Sequence, residues 1–120
     1  MSEPFISWSR FWRSFRYARQ GLRRALVSEN SFRIHVVVAI LVIAAMFIVQ
    51  LSRIEIAIVV LVMSTILTLE LVNTIVERFV GLLEPRVHPY VGIIKDLMAA
   101  AVLITTVAAI IIGLLVFWPS

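Results

Sequence analysis

Residues 56–80 read IAIVVLVMSTILTLELVNTIVERFV, an apolar stretch longer than the roughly 20 helical residues that cross a bilayer core. Glu70, Asn73 and Glu77 interrupt its second half. At helical spacing these three residues lie within an arc of ~60°, so they form one polar stripe. A carboxylate inside a membrane costs about 2.5 to 3.5 kcal/mol even on the gentlest scale. The stripe therefore predicts a functional site within a transmembrane helix.

Two further apolar spans flank this stretch. Residues 34–51 are apolar except for His35 and Gln50, and residues 97–118 carry no charge. Because 62% of the residues are hydrophobic and only 15% are charged, the composition excludes a soluble domain. We predict an all-α membrane protein that forms one domain, residues 1–120: a surface helix at about 5–30, transmembrane helices at 34–51, 56–80 and 96–118, and a cytoplasmic loop at 81–94 that contains Gly and Pro.

The segment before the first span has the pattern of an amphipathic helix. Apolar residues recur every three or four positions with arginines between them, which predicts a helix at the membrane surface. Most of these arginines suit a plain interfacial anchor, whereas Arg10 and the segment SENSFRIH, residues 28–35, suggest a further role. The apolar positions are Phe11, Phe15, Ala18, Leu22 and Leu26.

The distribution of basic residues predicts the orientation. Seven of the eleven Lys and Arg residues lie at or before Arg33, and three lie between Arg78 and Lys95. By the positive-inside rule the N-terminus is cytoplasmic and the C-terminus is outside. Glu77 then lies near the cytoplasm, with Glu70 about 10 Å deeper. The net charge of +4 is attributed to membrane orientation and contact with anionic lipid rather than to nucleic-acid binding. Because the chain contains no cysteine, thiol chemistry is excluded.

Small residues recur at steps of four along the third span. Such a ridge lets another helix approach closely, and with the polar stripe it favours a homo-oligomer, since three helices alone do not enclose an intramembrane site. A lone His at a helix start, such as His35, more often satisfies a backbone or headgroup partner than a metal. The ridge consists of Ala101, Thr105, Ala109 and Gly113.

Several polar side chains suit phosphoryl transfer. The carboxylates of Glu29 and Glu77 with the amide oxygen of Asn73 make a hard-oxygen site of the kind that binds Mg²⁺. Glu70 suits a base for an acceptor hydroxyl, and Lys95 suits a cation that neutralises phosphate charge. There is no GxxxxGK[ST] sequence, so any nucleotide site is of another kind. These residues alone fit a kinase and a proton-coupled transporter equally well.

Three motifs then carry a resemblance. ELVNTIVE at residues 70–77, VHP at 87–89 and KDLMAAAV at 95–102 resemble, in order and spacing, the signature of the small prokaryotic diacylglycerol kinase family. The resemblance covers nearly all of the chain. It implies an ATP- and Mg²⁺-dependent kinase of a lipid alcohol in the bacterial inner (cytoplasmic) membrane, working as a homotrimeric bundle with active sites shared between subunits.

The resemblance also implies residue roles. Glu70 is expected to be the base that activates the lipid hydroxyl, and Glu29 and Glu77 are expected to hold Mg²⁺. Where the family commonly has Asp, this chain has Gly81, for which Glu84 is a possible replacement, so we expect a looser nucleotide preference. The residues expected to bind nucleotide are Arg10, Tyr17, Glu29, Asn73, Glu77, Arg86, Val87, His88, Lys95 and Asp96.

The lipid is predicted from the segments outside the catalytic motifs. SENSFRIH, the HP dipeptide at 88–89 and the tail IIGLLVFWP at 111–119 look more like undecaprenol kinases than like enterobacterial diacylglycerol kinases. Undecaprenol is therefore favoured, with diacylglycerol as the alternative. Two non-enzymatic alternatives are a small multidrug-type transporter, which would ordinarily have a fourth span, and a lipid-binding scaffold.

Overall fold

A computed structural model describes residues 7–83 and 88–119. The regular structure in these residues consists of helices α1 (Trp8–Ser28), α2 (Asn30–Val49), α3 (Arg53–Leu83) and α4 (His88–Phe117). Three of them, α2, α3 and α4, are long and apolar enough to cross a membrane. The prediction of an all-helical chain with three spans is confirmed. The placement of α1 at the membrane surface stays a prediction.

Glu29 forms the corner between α1 and α2. Its backbone is extended, with φ −111° and ψ 107°, and its N–H donates to the carbonyl of Ala25 at 2.9 Å. It therefore ends α1 and immediately precedes α2. Its side chain makes no capping hydrogen bond, so the carboxylate can reach another helix.

The turn between α2 and α3 has a cap at each side. Gln50 ends α2 in the left-handed conformation, with φ 60°, a common way to end a helix. Ser52 and Glu55 then form a reciprocal capping box: the Glu55 N–H donates to the Ser52 hydroxyl at 3.2 Å, and the Ser52 N–H donates to the Glu55 carboxylate at 3.1 Å. Two spans can therefore be joined by a very short connection.

The connection between α3 and α4 is shorter than the predicted loop at 81–94. Helix α3 continues through Gly81 to Leu83, and α4 begins at His88, while residues 84–87 lie outside the described part of the chain. Pro89 does not break α4, because a proline in the first turn of a helix lacks only an N–H that has no partner there. Helices α3 and α4 are therefore longer than the predicted spans 56–80 and 96–118, and they include part of the predicted loop.

Helix α3 packs against both α2 and α4. The small-residue ridge of α4, from Ala101 to Gly113, is half-buried in the single chain, and α4 packs chiefly against α3. A Cβ built at Gly113 would have no atom within 4 Å, so the ridge leaves room for another helix to approach, and the homo-oligomer stays a prediction. The buried apolar side chains are Ala25, Phe32, Ala39, Met46, Val59, Val80 and Val91, the first four at steps of seven residues.

Candidate active site

The polar stripe lies on α3 and changes its exposure along the helix. Glu70 is the one polar residue among the buried set of the described residues, with 9% of its surface exposed, whereas Asn73 is half-buried and Glu77 is exposed. The amide Nδ2 of Asn73 donates to Oε1 of Glu77 at 3.2 Å. Asn73 therefore orients the exposed carboxylate and keeps its own Oδ1 as an acceptor atom.

The exposed end of the stripe lines a cleft between α3 and α4 that we call the outer cleft. It has a volume of about 450 Å³. A carboxylate, an amide and the ammonium group of Lys95 meet there, which is the mixture of charges that a metal-bound phosphate requires. Its lining residues are Asn73, Val76, Glu77, Val80, Gly81, Lys95, Met98 and Ala99.

The buried end of the stripe lines a second cleft, which we call the inner cleft. It also measures about 450 Å³ and shares Asn73 and Ala99 with the outer cleft, so the two adjoin. Apart from Glu70, its lining carries no charged group. Such a surface suits an apolar molecule with one hydroxyl. Its lining residues are Ser31, Glu70, Asn73, Ala99, Val102, Leu103 and Thr106.

Glu29 forms an ion pair instead of joining either cleft. Its Oε1 lies 3.2 Å from Nη2 of Arg78, which also donates to the Ser28 hydroxyl at 3.3 Å. Because 65% of the Arg78 side chain is exposed, such a pair contributes about 0–1 kcal/mol and is easily opened. Within the described ranges, no three His, Asp or Glu side chains cluster as a metal site. Glu29 lines neither cleft, and the roles of Glu29 and Glu77 in holding Mg²⁺ stay predictions.

The predicted nucleotide residues are dispersed. Lys95 lines the outer cleft, and its neighbour Asp96 is exposed on α4 without lining either cleft. Arg10 and Tyr17 are exposed on α1 and line neither cleft. Arg86, Val87 and Glu84 lie outside the described residues, as does the side chain of His88, whose backbone begins α4. These roles stay predictions.

His35 makes a contact that the sequence did not predict. Its Nδ1 lies 3.3 Å from Oε1 of Glu70, across the interface between α2 and α3. The two atoms are not aligned as a hydrogen bond, and this buried Nδ1 has no hydrogen-bond partner among the residues described. A buried polar atom without a hydrogen bond lowers stability by about 1–3 kcal/mol. The Glu70 carboxylate is the nearby group that could offset this cost. No periodicity in α2 could have indicated which residue of α3 His35 would meet.

The fold and these two clefts define a multi-pass membrane protein with a polar site inside its helices. Residues 16–117 match the prokaryotic diacylglycerol kinase family, and the chain belongs to that family. It is therefore a lipid kinase in a membrane setting, with ATP as phosphate donor. This membership decides for the kinase over the transporter and the scaffold.

The similar proteins are named for two different lipid substrates. The undecaprenol kinase of Bacillus subtilis (strain 168) is 38% identical over 112 residues, which cover 93% of this chain and 91% of that protein. A diacylglycerol kinase of Synechocystis sp. is 38% identical over 101 residues, covering 83% of this chain and 58% of that protein. The diacylglycerol kinase of Escherichia coli (strain K12) is 25% identical over 118 residues, covering 98% and 97%.

Proposed function

We propose that this protein transfers the γ-phosphate of ATP to the hydroxyl of undecaprenol in a Mg²⁺-dependent reaction. The observation that carries the proposal is the adjacency of the two clefts: Glu77 lines the outer one, Glu70 lines the inner one, and Asn73 belongs to both. The two glutamates are about 10 Å apart along α3 at a helical rise of 1.5 Å per residue. A charged donor and an apolar acceptor can therefore meet beside one helix.

The residues of the outer cleft fit Mg²⁺ by their chemistry. Glu77 supplies a carboxylate, and Asn73, whose Nδ2 is turned to Glu77, supplies an amide oxygen. Mg²⁺ is commonly held by one or two carboxylates, several waters and substrate phosphates, so a cluster of three acidic groups is not required. When bound, the ion neutralises phosphate charge. Glu29 would join as the second carboxylate once its exposed pair with Arg78 opens.

Different residues of the chain then serve different steps of the phosphoryl transfer. Lys95 neutralises the phosphates in the outer cleft, and Glu70 accepts the proton of the lipid hydroxyl in the inner cleft. The hydroxyl oxygen forms a bond to the γ-phosphorus while the bond from that phosphorus to the bridging oxygen breaks, and ADP leaves with the electron pair. Arg10, Tyr17, Asp96 and residues 86–88 complete the nucleotide site.

Two observations favour undecaprenol as the acceptor lipid. The relative from Bacillus subtilis is named for that substrate and spans nearly the whole chain, and SENSFRIH resembles the undecaprenol kinases. Diacylglycerol is the second candidate, because the relatives from Synechocystis and Escherichia coli are named diacylglycerol kinases.

We further propose a homotrimer in the bacterial inner membrane, with α1 at its cytoplasmic surface. The exposure of Glu77 and Lys95 in the single chain supports a site that neighbouring subunits complete. The mass of the protein in detergent tests this assembly, and a value that corresponds to anything but three chains would contradict it.

Phosphate transfer from γ-labelled ATP in detergent micelles tests the reaction, with undecaprenol and diacylglycerol offered separately. We expect transfer to undecaprenol in preference. Glu70→Gln should lower kcat by about 100-fold or more with ATP still bound, since it removes a general base. Glu77→Gln should instead weaken Mg²⁺-dependent ATP binding.

The two glutamine variants serve as controls for each other, because each removes one charge from the same helix. No transfer to either lipid would overturn the proposed reaction. Preferred transfer to diacylglycerol would overturn the lipid assignment alone. An equal loss of ATP binding in both variants would contradict the division of roles between Glu70 and Glu77.

A further inference from the structure

Glu70 has one titratable neighbour among the described side chains, His35 of α2. The distance from Nδ1 of His35 to Oε1 of Glu70 is 3.3 Å, and the Glu70 side chain is 11% exposed. Nδ1 is buried and lacks a hydrogen-bond partner. At that distance a rotation of the imidazole that aligns an Nδ1–H with the carboxylate would give this atom its hydrogen-bond partner.

The other polar groups around Glu70 have other partners or positions. The hydroxyl of Thr74 donates to the backbone carbonyl of Glu70 at 3.0 Å, not to the carboxylate. The amide of Asn73 donates to Glu77. The lining of the inner cleft adds the hydroxyls of Ser31 and Thr106 but no further charge. The Thr106 hydroxyl donates to the Val102 carbonyl at 2.8 Å, whereas Nδ1 of His35 lies 3.3 Å from the Glu70 carboxylate, so His35 is the group placed to hold that carboxylate in one orientation.

We propose that His35 is the positioning residue of Glu70. Its Nδ1–H donates to Oε1, so the carboxylate keeps one rotamer and presents Oε2 to the hydroxyl in the inner cleft. The proton of the hydroxyl moves to Oε2 as the oxygen bonds to phosphorus, while the proton on Nδ1 stays in place. This inference rests on the proposed function, because it concerns the base of that reaction.

A purely structural role would give different kinetics. If His35 only joined α2 to α3, its loss would lower stability and leave kcat per folded molecule unchanged. A positioning role instead predicts a fall in kcat with the KM for ATP unchanged, because ATP binds in the outer cleft. Misplacement of a reacting group by about 1 Å can cost a factor of about 100.

The test compares three substitutions in the full-length protein in micelles. His35→Leu should lower kcat by about 100-fold at constant KM for ATP. His35→Asn should recover most of that loss, because its amide nitrogen occupies nearly the position of Nδ1, whereas the longer side chain of His35→Gln should not. Val38→Ala, on an exposed part of α2, controls for substitution in this helix and should change neither parameter.

A double-mutant cycle gives the second readout. In the Glu70→Gln background, His35→Leu should cause little additional loss, since a positioning residue acts only through the group it positions. Equal losses in His35→Asn, His35→Gln and His35→Leu, or a full additional loss without Glu70, would overturn the inference. If His35→Leu does not fold, the comparison of His35→Asn with His35→Gln decides. Absence of transfer by the unsubstituted protein would instead overturn the proposed function.

Discussion

Glu70 and Glu77 have the same side chain in two environments, and this difference is the basis of their proposed roles. Glu70 is buried and contacts an imidazole, whereas Glu77 is exposed and accepts a hydrogen bond from Asn73. A buried carboxylate near an apolar cleft suits proton transfer to and from a lipid hydroxyl, while an exposed one beside Lys95 suits metal and phosphate. The neighbours of each carboxylate, rather than its residue type, therefore distinguish the two proposed roles.

Gly81 lines the outer cleft, at the position where members of the prokaryotic diacylglycerol kinase family commonly have Asp. A Cβ built there would have no atom within 4 Å, so a side chain fits without rearrangement. We expect Gly81→Asp to raise the preference for ATP over GTP, because it adds a hydrogen-bond acceptor in the outer cleft. Initial rates with both nucleotides measure this ratio. Gly81→Ala, which adds a Cβ but no acceptor, is the control, and an unchanged ratio in Gly81→Asp would contradict the expectation.

The pair of Arg78 with Glu29 competes with metal binding under the proposed mechanism. We expect Arg78→Gln to lower the Mg²⁺ concentration for half-maximal activity, since Glu29 no longer has a cationic partner. The free energy of unfolding should fall by less than about 1 kcal/mol, because the pair is exposed. Mg²⁺ titration of the activity checks the first effect and denaturant titration the second. With Glu29→Gln already present, Arg78→Gln should no longer shift the Mg²⁺ requirement; a shift would show that Glu29 is not the group concerned.

At the scale of elements, α3 positions both clefts because it packs against α2 and α4. Its length of 31 residues corresponds to about 46 Å, more than the ~30 Å hydrocarbon core, so its ends extend into the interfaces. The stripe occupies the second half of this helix and the capping box occupies its start. Stability and chemistry can therefore be altered separately along one helix.

The capping box at the start of α3 provides the corresponding prediction. We expect Ser52→Ala to lower the free energy of unfolding by about 1 kcal/mol while kcat stays the same, because it removes an N-cap far along the helix from the stripe. Unfolding in mixed detergent micelles measures the change. Ser64→Ala is the matched control, since that hydroxyl bonds only to the Val60 carbonyl within the same helix. An equal effect of both substitutions would show that the cap does not stabilise α3.

For the whole molecule, large apolar side chains cover the outside of α2, α3 and α4 and are exposed in the single chain. In a membrane such a surface contacts lipid tails or neighbouring subunits, which solvate it as water cannot. The inner cleft lies beside this apolar surface, so under the proposed function the lipid alcohol would reach Glu70 from the side of the membrane.

The absence of cysteine allows the proposed orientation to be tested directly. We expect a membrane-impermeant maleimide to label Trp118→Cys in intact spheroplasts but to label Ser14→Cys only after lysis, because the C-terminus is proposed to be outside and α1 inside. The unsubstituted chain contains no cysteine and supplies the background. Labelling of Ser14→Cys in intact spheroplasts would reverse the orientation.

Pattern alone was enough to predict three apolar helices long enough to span a membrane and the stripe of Glu70, Asn73 and Glu77, because apolar length and a period of 3.6 residues are local properties of the chain. It also pointed to Lys95, which lines the same cleft as Glu77. Two contacts became visible only in the folded chain: His35 meets Glu70, and Glu29 pairs with Arg78. Periodicity specifies which residues share a face of a helix, whereas the packing of whole helices determines which face they meet.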